Sequence, residues 1–373
     1  MRHSLRHKAK KFVEHVRTRG LSDTLRYSLN RLAKLYWDHK RVWTPRRLYV
    51  PLRSIEIDRP IFVLGTQGGG LTLLTRMMRR NPRVAMVGGG PSFWMGNDEM
   101  DKHYVGHESM PDDWMLRTPG HNNLRGDEEE HPEFGLERNW LYAIDELLPE
   151  YRRTRDDYMP ELEAALRQRI RDSIRAYAQD VNDARFLDMS QSYSVKIPLL
   201  RECLDDPRFV LVVRNPYVMC WREVTKNTES KYQFWNEEPS RERALRLSAE
   251  HWRNTFEIAL ADVEGRDDSL TVRFEEFIDE PKSELQRILR HVDLEFSPDM
   301  LPQPHHEAPW GGKSPTKWYP IRKDVNEKYL HSIPGEAVRI IDEEIGDLGR
   351  RCGYQSPHSG SSRAESASPG DRL

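Results

Sequence analysis

Two kinds of hydrophobic pattern alternate along the chain. Runs of consecutive apolar residues, typical of strands buried on both faces of a sheet, occur at 61–64, 84–87 and 209–213, and residues 270–274 are predicted to form a further strand. Elsewhere apolar residues recur every three or four positions, which predicts helices beginning near Leu71, Pro160, Leu245 and Pro281. Strands that alternate with helices in this way predict an α/β domain.

The turn between the first predicted strand and helix is rich in glycine, with Gly65, Gly68, Gly69 and Gly70 close together. Glycines let backbone N–H groups approach phosphate oxygens, and a helix N-terminus adds partial positive charge. The turn therefore predicts a phosphate cradle, although a glycine-rich turn without a ligand would have the same composition. Leu71 stands where a nucleoside-triphosphate loop has its lysine, which disfavours hydrolysis of ATP or GTP.

A charged residue ends another apolar run, because Arg214 directly follows residues 209–213. Open α/β sheets bind ligands at the carboxyl ends of their strands, so Arg214 is a candidate for binding an anionic ligand. The alternative is an arginine that forms a surface ion pair.

Two irregular segments carry further candidate chemistry. Residues 91 to about 135 are rich in tryptophan, histidine, glycine and acids, which suits a sugar or another polar acceptor. Residues 310–319 combine Gly312 and Lys313 with aromatic residues, which suits a phosphate and a stacked base; the alternative is a solvated turn. We do not predict a metal site at His305-His306-Glu307, because adjacent histidines are expected to point apart and no third ligand has motif spacing.

The overall composition limits the class of protein. The 373 residues are 37% hydrophobic and 32% charged, which supports a folded core beneath a well-solvated surface. The net charge of −2 argues against a nucleic-acid-binding protein. Cys203, Cys220 and Cys352 are too far apart for a disulfide framework or a zinc site, and no apolar run is long enough to span a membrane. We therefore expect a cytoplasmic protein.

Both ends of the chain differ in composition from the main domain, which we place at residues 58–354. Residues 1–57 form a basic arm, in which Leu25, Leu29, Leu32 and Tyr36 would share one helical face. Such a helix suits an anionic membrane or an acidic polymer. We prefer the alternative, a helix docked on the main domain with its charged face in water. Residues 355–373 are rich in serine, glycine, proline and charge, so we expect a disordered tail.

Several of these motifs together resemble one family, the sulfotransferases that use 3′-phosphoadenosine 5′-phosphosulfate (PAPS), especially bacterial and carbohydrate-type members. Residues 62–74 resemble the loop that binds the 5′-phosphosulfate, and residues 208–216 resemble the segment that binds the 3′-phosphate. Residues 271–281 resemble the later strand-to-helix segment, and residues 186–190 resemble an Asp-Lys-Ser-Pro stretch without its lysine. The resemblance covers roughly residues 58–354.

The resemblance implies a P-loop-like fold, with a mostly parallel sheet and helices on both faces. It also implies that PAPS is the donor and that no metal takes part. The residues expected to contact PAPS come from the glycine turn, from the later arginine strand and from the C-terminal loop: Gln67, Gly68, Gly69, Gly70, Leu71, Thr72, Arg214, Arg222 and Lys313. Of these, Arg214 together with Arg222 or Lys313 is expected to hold the 3′-phosphate.

The chain departs from the family pattern at three positions. Gly68 stands where the loop usually carries a Lys or Arg that assists the bridging oxygen of the donor. Arg222 stands where a serine usually follows the 3′-phosphate arginine, and Leu71 replaces a threonine. Lys196 or Lys313 is a candidate substitute for the missing basic residue of the loop.

The implied reaction is transfer of a sulfuryl group from PAPS to an acceptor hydroxyl, which we expect on a carbohydrate or glycolipid. A base must remove the proton of that hydroxyl, and Glu99 is our candidate, with His103 and Glu108 as alternatives. A different class of function stays open, namely a non-catalytic protein that binds a phosphonucleotide or polyanion. The missing basic residue of the loop is its main support. A P-loop kinase comes third, because Leu71 disfavours it.

Overall fold

The structure is a computed structural model, and it describes residues 39–89, 99–100, 142–145, 148–225, 238–306 and 319–357, with isolated positions between 16 and 36. In this part of the chain, five strands form one sheet in which every pairing is parallel. The strands are β1 (Ile61–Leu64), β2 (Val84–Met86), β3 (Arg185–Asp188), β4 (Arg208–Val213) and β5 (Ser269–Arg273). Their order is β2-β3-β1-β4-β5, which places β1 in the centre.

Helices connect and cover these strands. In the described residues they are α1 (Lys40–Trp43), α2 (Leu71–Arg79), α3 (Leu148–Tyr151), α4 (Pro160–Tyr177), α5 (Ile197–Cys203), α6 (Pro216–Thr225), α7 (Glu238–Val263), α8 (Phe274–Asp279), α9 (Pro281–His291), α10 (Glu327–Ser332), α11 (Gly335–Ile345) and α12 (Leu348–Arg351). The predicted helices correspond to α2, α4, α7 and α9. The four predicted strands are observed to within one residue at each end. Strand β3 lacks the apolar run that predicts β1, β2 and β4, because charged residues form both of its ends.

The sheet divides the core into two layers, as the alternation of side chains along a strand requires. Phe62 and Leu64 of β1 pack in the layer that contains α4, α7 and α11. Ile61 and Val63 pack in the other layer, with α2, α8 and α9. Helices therefore cover both faces, and the predicted α/β fold is confirmed. Because all the strands are parallel, the carboxyl ends of β1, β3 and β4 meet at one edge of the sheet.

The described positions between residues 20 and 36 are helical. The apolar face that we expected to dock on the main domain is instead exposed: Leu25 is 49%, Leu29 48%, Leu32 63% and Tyr36 53% exposed. The docking prediction is therefore wrong for these side chains. None of the helices in the described part of the chain has the length and apolar composition needed to cross a bilayer. The residues beyond 357 lie outside the described part, so the boundaries predicted for the arm and the tail stay predictions.

Candidate functional site

The glycine turn between β1 and α2 needs glycine for steric reasons at two positions. Gly68 has φ 78° and Gly70 has φ 93°, in the left-handed region that glycine adopts without strain. A Cβ atom on Gly70 would lie 2.1 Å from the ring of Phe274. A Cβ atom on Gly68 would lie 2.2 Å from the guanidinium of Arg222. Other residues therefore pack directly against the backbone of the turn.

The residues of this turn differ in what they can offer to an anion. Helix α2 begins directly after Gly70, and the first N–H groups of a helix have no carbonyl partner within it. Leu71 is buried in the core, so only its backbone can contribute, whereas Thr72 is exposed and lines a cleft. Gly69 donates its N–H to the carbonyl oxygen of Thr66 at 3.0 Å, so this N–H supports the turn itself.

Arg214 follows β4 directly and reaches back to the glycine turn. Its Nη1 donates to the carbonyl oxygen of Gly68 at 2.7 Å, and its Nε donates to Oδ1 of Asn326 at 3.1 Å. The guanidinium carbon lies 4.4 Å from the centre of the Phe274 ring. Burial, together with the positive charge of Arg222, lowers the pKa of Arg214 to about 10. The side chain therefore stays charged at neutral pH.

A chain of hydrogen bonds extends from Arg214 through Asn326 and Glu275 to Tyr354. The side-chain amide of Asn326 donates to Oε1 of Glu275 at 2.7 Å, and the backbone N–H of Asn215 donates to the same oxygen at 3.2 Å. The hydroxyl of Tyr354 donates to the other carboxylate oxygen of Glu275 at 2.6 Å. Connected bonds of this kind restrict the guanidinium of Arg214 to one orientation.

A cleft of about 280 Å³ opens beside the turn. Its described lining contains four basic and no acidic side chains, with Phe274 and Tyr329 as aromatic walls. The basic residues are Arg214, Arg222, Arg322 and Lys328. The structure thus brings the two predicted arginines together at the predicted turn. Arg322 and Lys328 are not among the residues predicted from the sequence. The adjacent basic residues at 322–323, shortly after the predicted C-terminal loop, could have indicated a further contact to an anion.

Glu99 lies at the same edge of the sheet, close to the end of β3. The backbone N–H of the next residue, Met100, donates to Oδ1 of Asp188 at 2.6 Å. The other oxygen of Asp188 accepts the N–H of Ser190 at 2.8 Å, so this carboxylate anchors the chain at that point. Glu99 is only 6% exposed. A buried carboxylate at the carboxyl edge of the sheet suits a residue that handles a proton.

The other predicted site residues lie elsewhere or are not described. Lys313 lies outside the described residues, as do His103 and Glu108. Lys196 is fully buried, with its Nζ 5.8 Å from the ring centre of Tyr151 and 5.7 Å from that of Tyr193. Lys196 does not line the cleft, so the structure does not support it as the substitute for the loop base.

Gln67 is also not among the residues that line the cleft. Together with Thr66 it lines a separate small cavity, whose other walls include Glu223 and His251. Gln67 is therefore placed beside the turn but not among the residues that line the basic cleft.

Asp299, His305 and His306 bring their potential ligand atoms within 4.8 Å of one another. The expectation that the two histidines point apart is wrong, because both rings approach Asp299. The N–H of Gln303 donates to Nδ1 of His306, so the proton of a neutral His306 lies on Nε2 and faces Asp299 at 2.7 Å. Arg80 donates to the other oxygen of Asp299. The Nε2 proton of His306 and the guanidinium of Arg80 thus occupy the positions on Asp299 that a cation would need. The prediction that no metal takes part in the reaction stays a prediction.

Comparison with known proteins adds an independent observation on the sequence. A family model described as the sulfotransferase family matches residues 60–298. The chain belongs to this family. The matched span contains the glycine turn, Arg214 and Arg222, and it ends before Arg322 and Lys328. The predicted family assignment is confirmed, and the protein is a sulfotransferase-type transferase.

Solved structures of bacterial sulfotransferases resemble this one. The sulfotransferase domain of the olefin synthase from Synechococcus PCC 7002 is 15% identical, with 81% of this chain and 96% of that chain covered and a TM-score of 0.46. A sulfotransferase from Mycobacterium avium is 13% identical, with 83% and 81% covered and a TM-score of 0.45. One from Mycobacterium tuberculosis H37Rv is 16% identical, with 78% and 82% covered and a TM-score of 0.41. No curated protein sequence matches the chain.

Proposed function

We propose that this sulfotransferase moves a sulfuryl group from PAPS to a hydroxyl group of a carbohydrate or glycolipid. The observation that carries the proposal is the cleft in which a glycine turn, a helix N-terminus and four basic side chains converge. PAPS is a polyanion with phosphate groups at both ends of its ribose, and the described lining of this cleft has four basic side chains and no acidic one. Gly68 and Gly70 have positive φ angles that glycine adopts without strain, which suits a turn whose backbone N–H groups approach a phosphate.

The residues divide naturally between the two ends of the donor. Backbone N–H groups at Gly70, Leu71 and Thr72 would hold the 5′-phosphosulfate at the start of α2. Arg214 would hold the 3′-phosphate, since it ends β4, is fixed by Asn326 and keeps its charge at neutral pH. Lys313 stays a proposed third contact from the sequence.

Glu99 is the proposed base for the acceptor hydroxyl. Attack of a hydroxyl oxygen on sulfur requires loss of its proton, and an ionised carboxylate can accept it. The support is position, because Glu99 stands beside Asp188 at the end of β3, next to the central strand that leads into the glycine turn. The proposal that the acceptor is a sugar rests on the tryptophans and acids of residues 91–135, most of which lie outside the described part.

We further propose that the arm contacts an anionic membrane surface and that the protein is cytoplasmic. Residues 1–50 contain fourteen Lys and Arg against three Asp and Glu, although the whole chain carries a net charge of −2. The exposed leucines of this arm form an apolar face on a basic helix, the combination that binds at lipid interfaces. The cytoplasmic location is supported by three cysteines that are all free thiols.

Two measurements test the function. The first is transfer of sulfur-labelled sulfate from PAPS to a panel of oligosaccharides and glycolipids, read as labelled product. The second is calorimetric binding of adenosine 3′,5′-bisphosphate (PAP), with ATP as competitor. Tight PAP binding without any transfer would favour the non-catalytic alternative, and displacement of PAP by equimolar ATP would favour a kinase.

The arm is tested by flotation with vesicles that contain anionic or only zwitterionic lipid. We expect full-length protein to bind the anionic vesicles in a salt-sensitive way. The variant Leu25→Ser/Leu29→Ser/Leu32→Ser, which keeps the charge, should bind them much less. Unchanged flotation of that variant would contradict the proposed role of the apolar face.

A further inference from the structure

Two departures from the family pattern are far apart in the sequence but meet in space. Gly68 stands where the loop usually carries Lys or Arg, and Arg222 stands where a serine is usual. An ideal Cβ atom on Gly68 would lie 2.2 Å from Nη1 of Arg222 and 3.1 Å from its Cζ. The guanidinium of Arg222 therefore occupies the space into which a side chain at position 68 would project.

We propose that Arg222 replaces the missing basic residue of the loop and acts on the bridging oxygen of PAPS, rather than on its 3′-phosphate. The inference rests on the proposed function. A guanidinium that arrives from α6 would supply, next to Gly68, the positive charge that other members supply from the loop itself. The same contact explains the glycine, because any side chain at position 68 would displace this guanidinium.

Neighbouring groups hold Arg222 in this place. Its Nη1 donates to Oε1 of Glu223, and that oxygen lies 3.3 Å from the same ideal Cβ position on Gly68. Glu223 is only 6% exposed, so the pair is held in a packed environment. On the other side, Arg214 donates to the carbonyl oxygen of Gly68 at 2.7 Å. The two arginines thus flank one residue of the turn, and both line the cleft.

In the proposed reaction Arg214 holds the 3′-phosphate, whereas Arg222 acts where the bond to the transferred sulfuryl group breaks. As the acceptor oxygen forms a bond to sulfur, the bond between sulfur and the bridging oxygen breaks. Its electron pair stays on the bridging oxygen, which becomes an oxygen of the 5′-phosphate of PAP, and the proton of the acceptor passes to Glu99. Negative charge on the bridging oxygen therefore grows during the step. A fixed guanidinium beside it stabilises the transition state more than bound PAPS.

The test separates the bridging oxygen from the 3′-phosphate by using two donors. Adenosine 5′-phosphosulfate (APS) contains the bridging oxygen but has no 3′-phosphate. We expect Arg222→Ser to lower kcat about a hundredfold with PAPS and by the same factor with APS. The Kd of PAP should rise less than about fivefold, because Arg214 still holds its 3′-phosphate. A large rise in the Kd of PAP, with turnover of APS unchanged, would assign Arg222 to the 3′-phosphate and overturn the proposal.

Exchange of the two residues provides a second readout. The double variant Gly68→Lys/Arg222→Ser restores the pattern of the family, and we expect its kcat to exceed that of Arg222→Ser at least about tenfold. Because a lysine at φ 78° is strained, millimolar guanidinium ion added to Arg222→Ala serves as a parallel test. It should restore kcat without changing the Kd of PAP. Absence of recovery in both tests would overturn the proposal.

Controls separate this inference from the proposed function. Arg339→Ser removes an exposed arginine of α11 and should leave kcat unchanged. Melting temperatures confirm that each variant is folded. If the wild-type protein transfers no sulfuryl group from PAPS or APS, the proposed function fails and the role of Arg222 fails with it. That result is read from the wild type before any variant is made.

Discussion

The cleft beside the glycine turn can be compared with a second cleft, beside β5 at the edge of the described sheet. Both are lined by arginines, and the second is the larger, at about 400 Å³ against about 280 Å³. The second cleft is formed by β5, α7, α9 and α12, with Arg273, Arg287 and Arg351 in its walls. Its lining also contains two acids, Glu276 and Glu284.

Two of the three arginines in the second cleft, Arg273 and Arg287, form ion pairs with neighbouring carboxylates. Arg287 donates from Nη2 to Oε2 of Glu284 at 2.7 Å, three residues earlier on the same helix. Arg273 donates to Oε1 of Glu276 at 3.0 Å. Such pairs form on partly exposed surfaces and add little to stability. The second cleft therefore has a net charge of only +1 from three arginines and two glutamates.

The first cleft differs in three ways that matter for a phosphate ligand. Its described lining has four basic side chains and no carboxylate, although Arg222 donates to Glu223 beside it. Its wall includes a helix N-terminus, and its most buried arginine, Arg214, is held by a neutral amide rather than by an acid. Charge balance and backbone geometry, and not cleft volume, therefore distinguish the two. Changes made in and near the first cleft, each with a matched change in the second, test this comparison.

The largest effect is expected from Glu99→Gln. This variant keeps the shape of the side chain and removes the base, so turnover should fall at least about a hundredfold while the Kd of PAP stays the same. Steady-state kinetics and calorimetry measure both quantities. The matched control is Glu284→Gln in the second cleft, which should keep wild-type turnover. Near-normal turnover of Glu99→Gln would reject Glu99 and move the assignment to His103 or Glu108.

The next effect concerns the arginines themselves. Arg214→Ala should weaken PAP binding by about 1.5–3 kcal/mol, the value of a charged hydrogen bond, while Arg287→Ala should leave it unchanged. Binding of APS, which lacks the 3′-phosphate, should be much less affected by Arg214→Ala. Titration calorimetry with both nucleotides checks this difference. Equal losses of binding affinity for PAP and APS would show that Arg214 does not bind the 3′-phosphate.

A smaller effect is expected at the exposed rim of the first cleft. Arg322→Ala and Lys328→Ala should each weaken PAP binding by about 0.2–1 kcal/mol, because exposed charges are screened by solvent. The loss should shrink as salt is raised from low to physiological ionic strength. Arg351→Ala in the second cleft is the control. If neither rim variant changes PAP affinity at low salt, these two residues do not belong to the nucleotide site.

The parts of the site that the sequence predicted are those that follow from local pattern. Residues 61–64 and 208–213 are nearly continuous apolar runs, and parallel strands place their carboxyl ends at one edge, so the turn and Arg214 had to come close together. The family model matches this same span. Local pattern was therefore sufficient to predict that the glycine turn and Arg214 lie together.

The parts that were missed depend on contacts between residues distant in the sequence. Asn326 meets Arg214 across 112 residues, and nothing local to either marks the pairing. In the sequence, Arg222 and Gly68 are two separate departures from the family pattern, and only the fold shows that the guanidinium of Arg222 lies in the space beside Gly68. The same limit applied to the histidines, because Asp299 precedes His306 by seven residues and approaches it only through the intervening turn.

The smallest effect is expected at His306. In its cluster, as in the second cleft, charged side chains pair with one another, since Asp299 contacts both His306 and Arg80. Burial lowers the pKa of His306 from its ordinary value of 6.5, and the positive charge of Arg80 adds to this. The unfolded chain therefore binds a proton below pH 6.5 more readily than the folded protein, so stability falls as the pH drops below 6.5. The melting temperature of the wild type should decrease between pH 7 and pH 5.5. In His306→Gln this decrease should be smaller, by roughly 2–4 °C at most. The control is His305→Gln, at a position 73% exposed, which should keep the wild-type slope. An unchanged slope in His306→Gln would show that this histidine does not resist protonation in the folded protein.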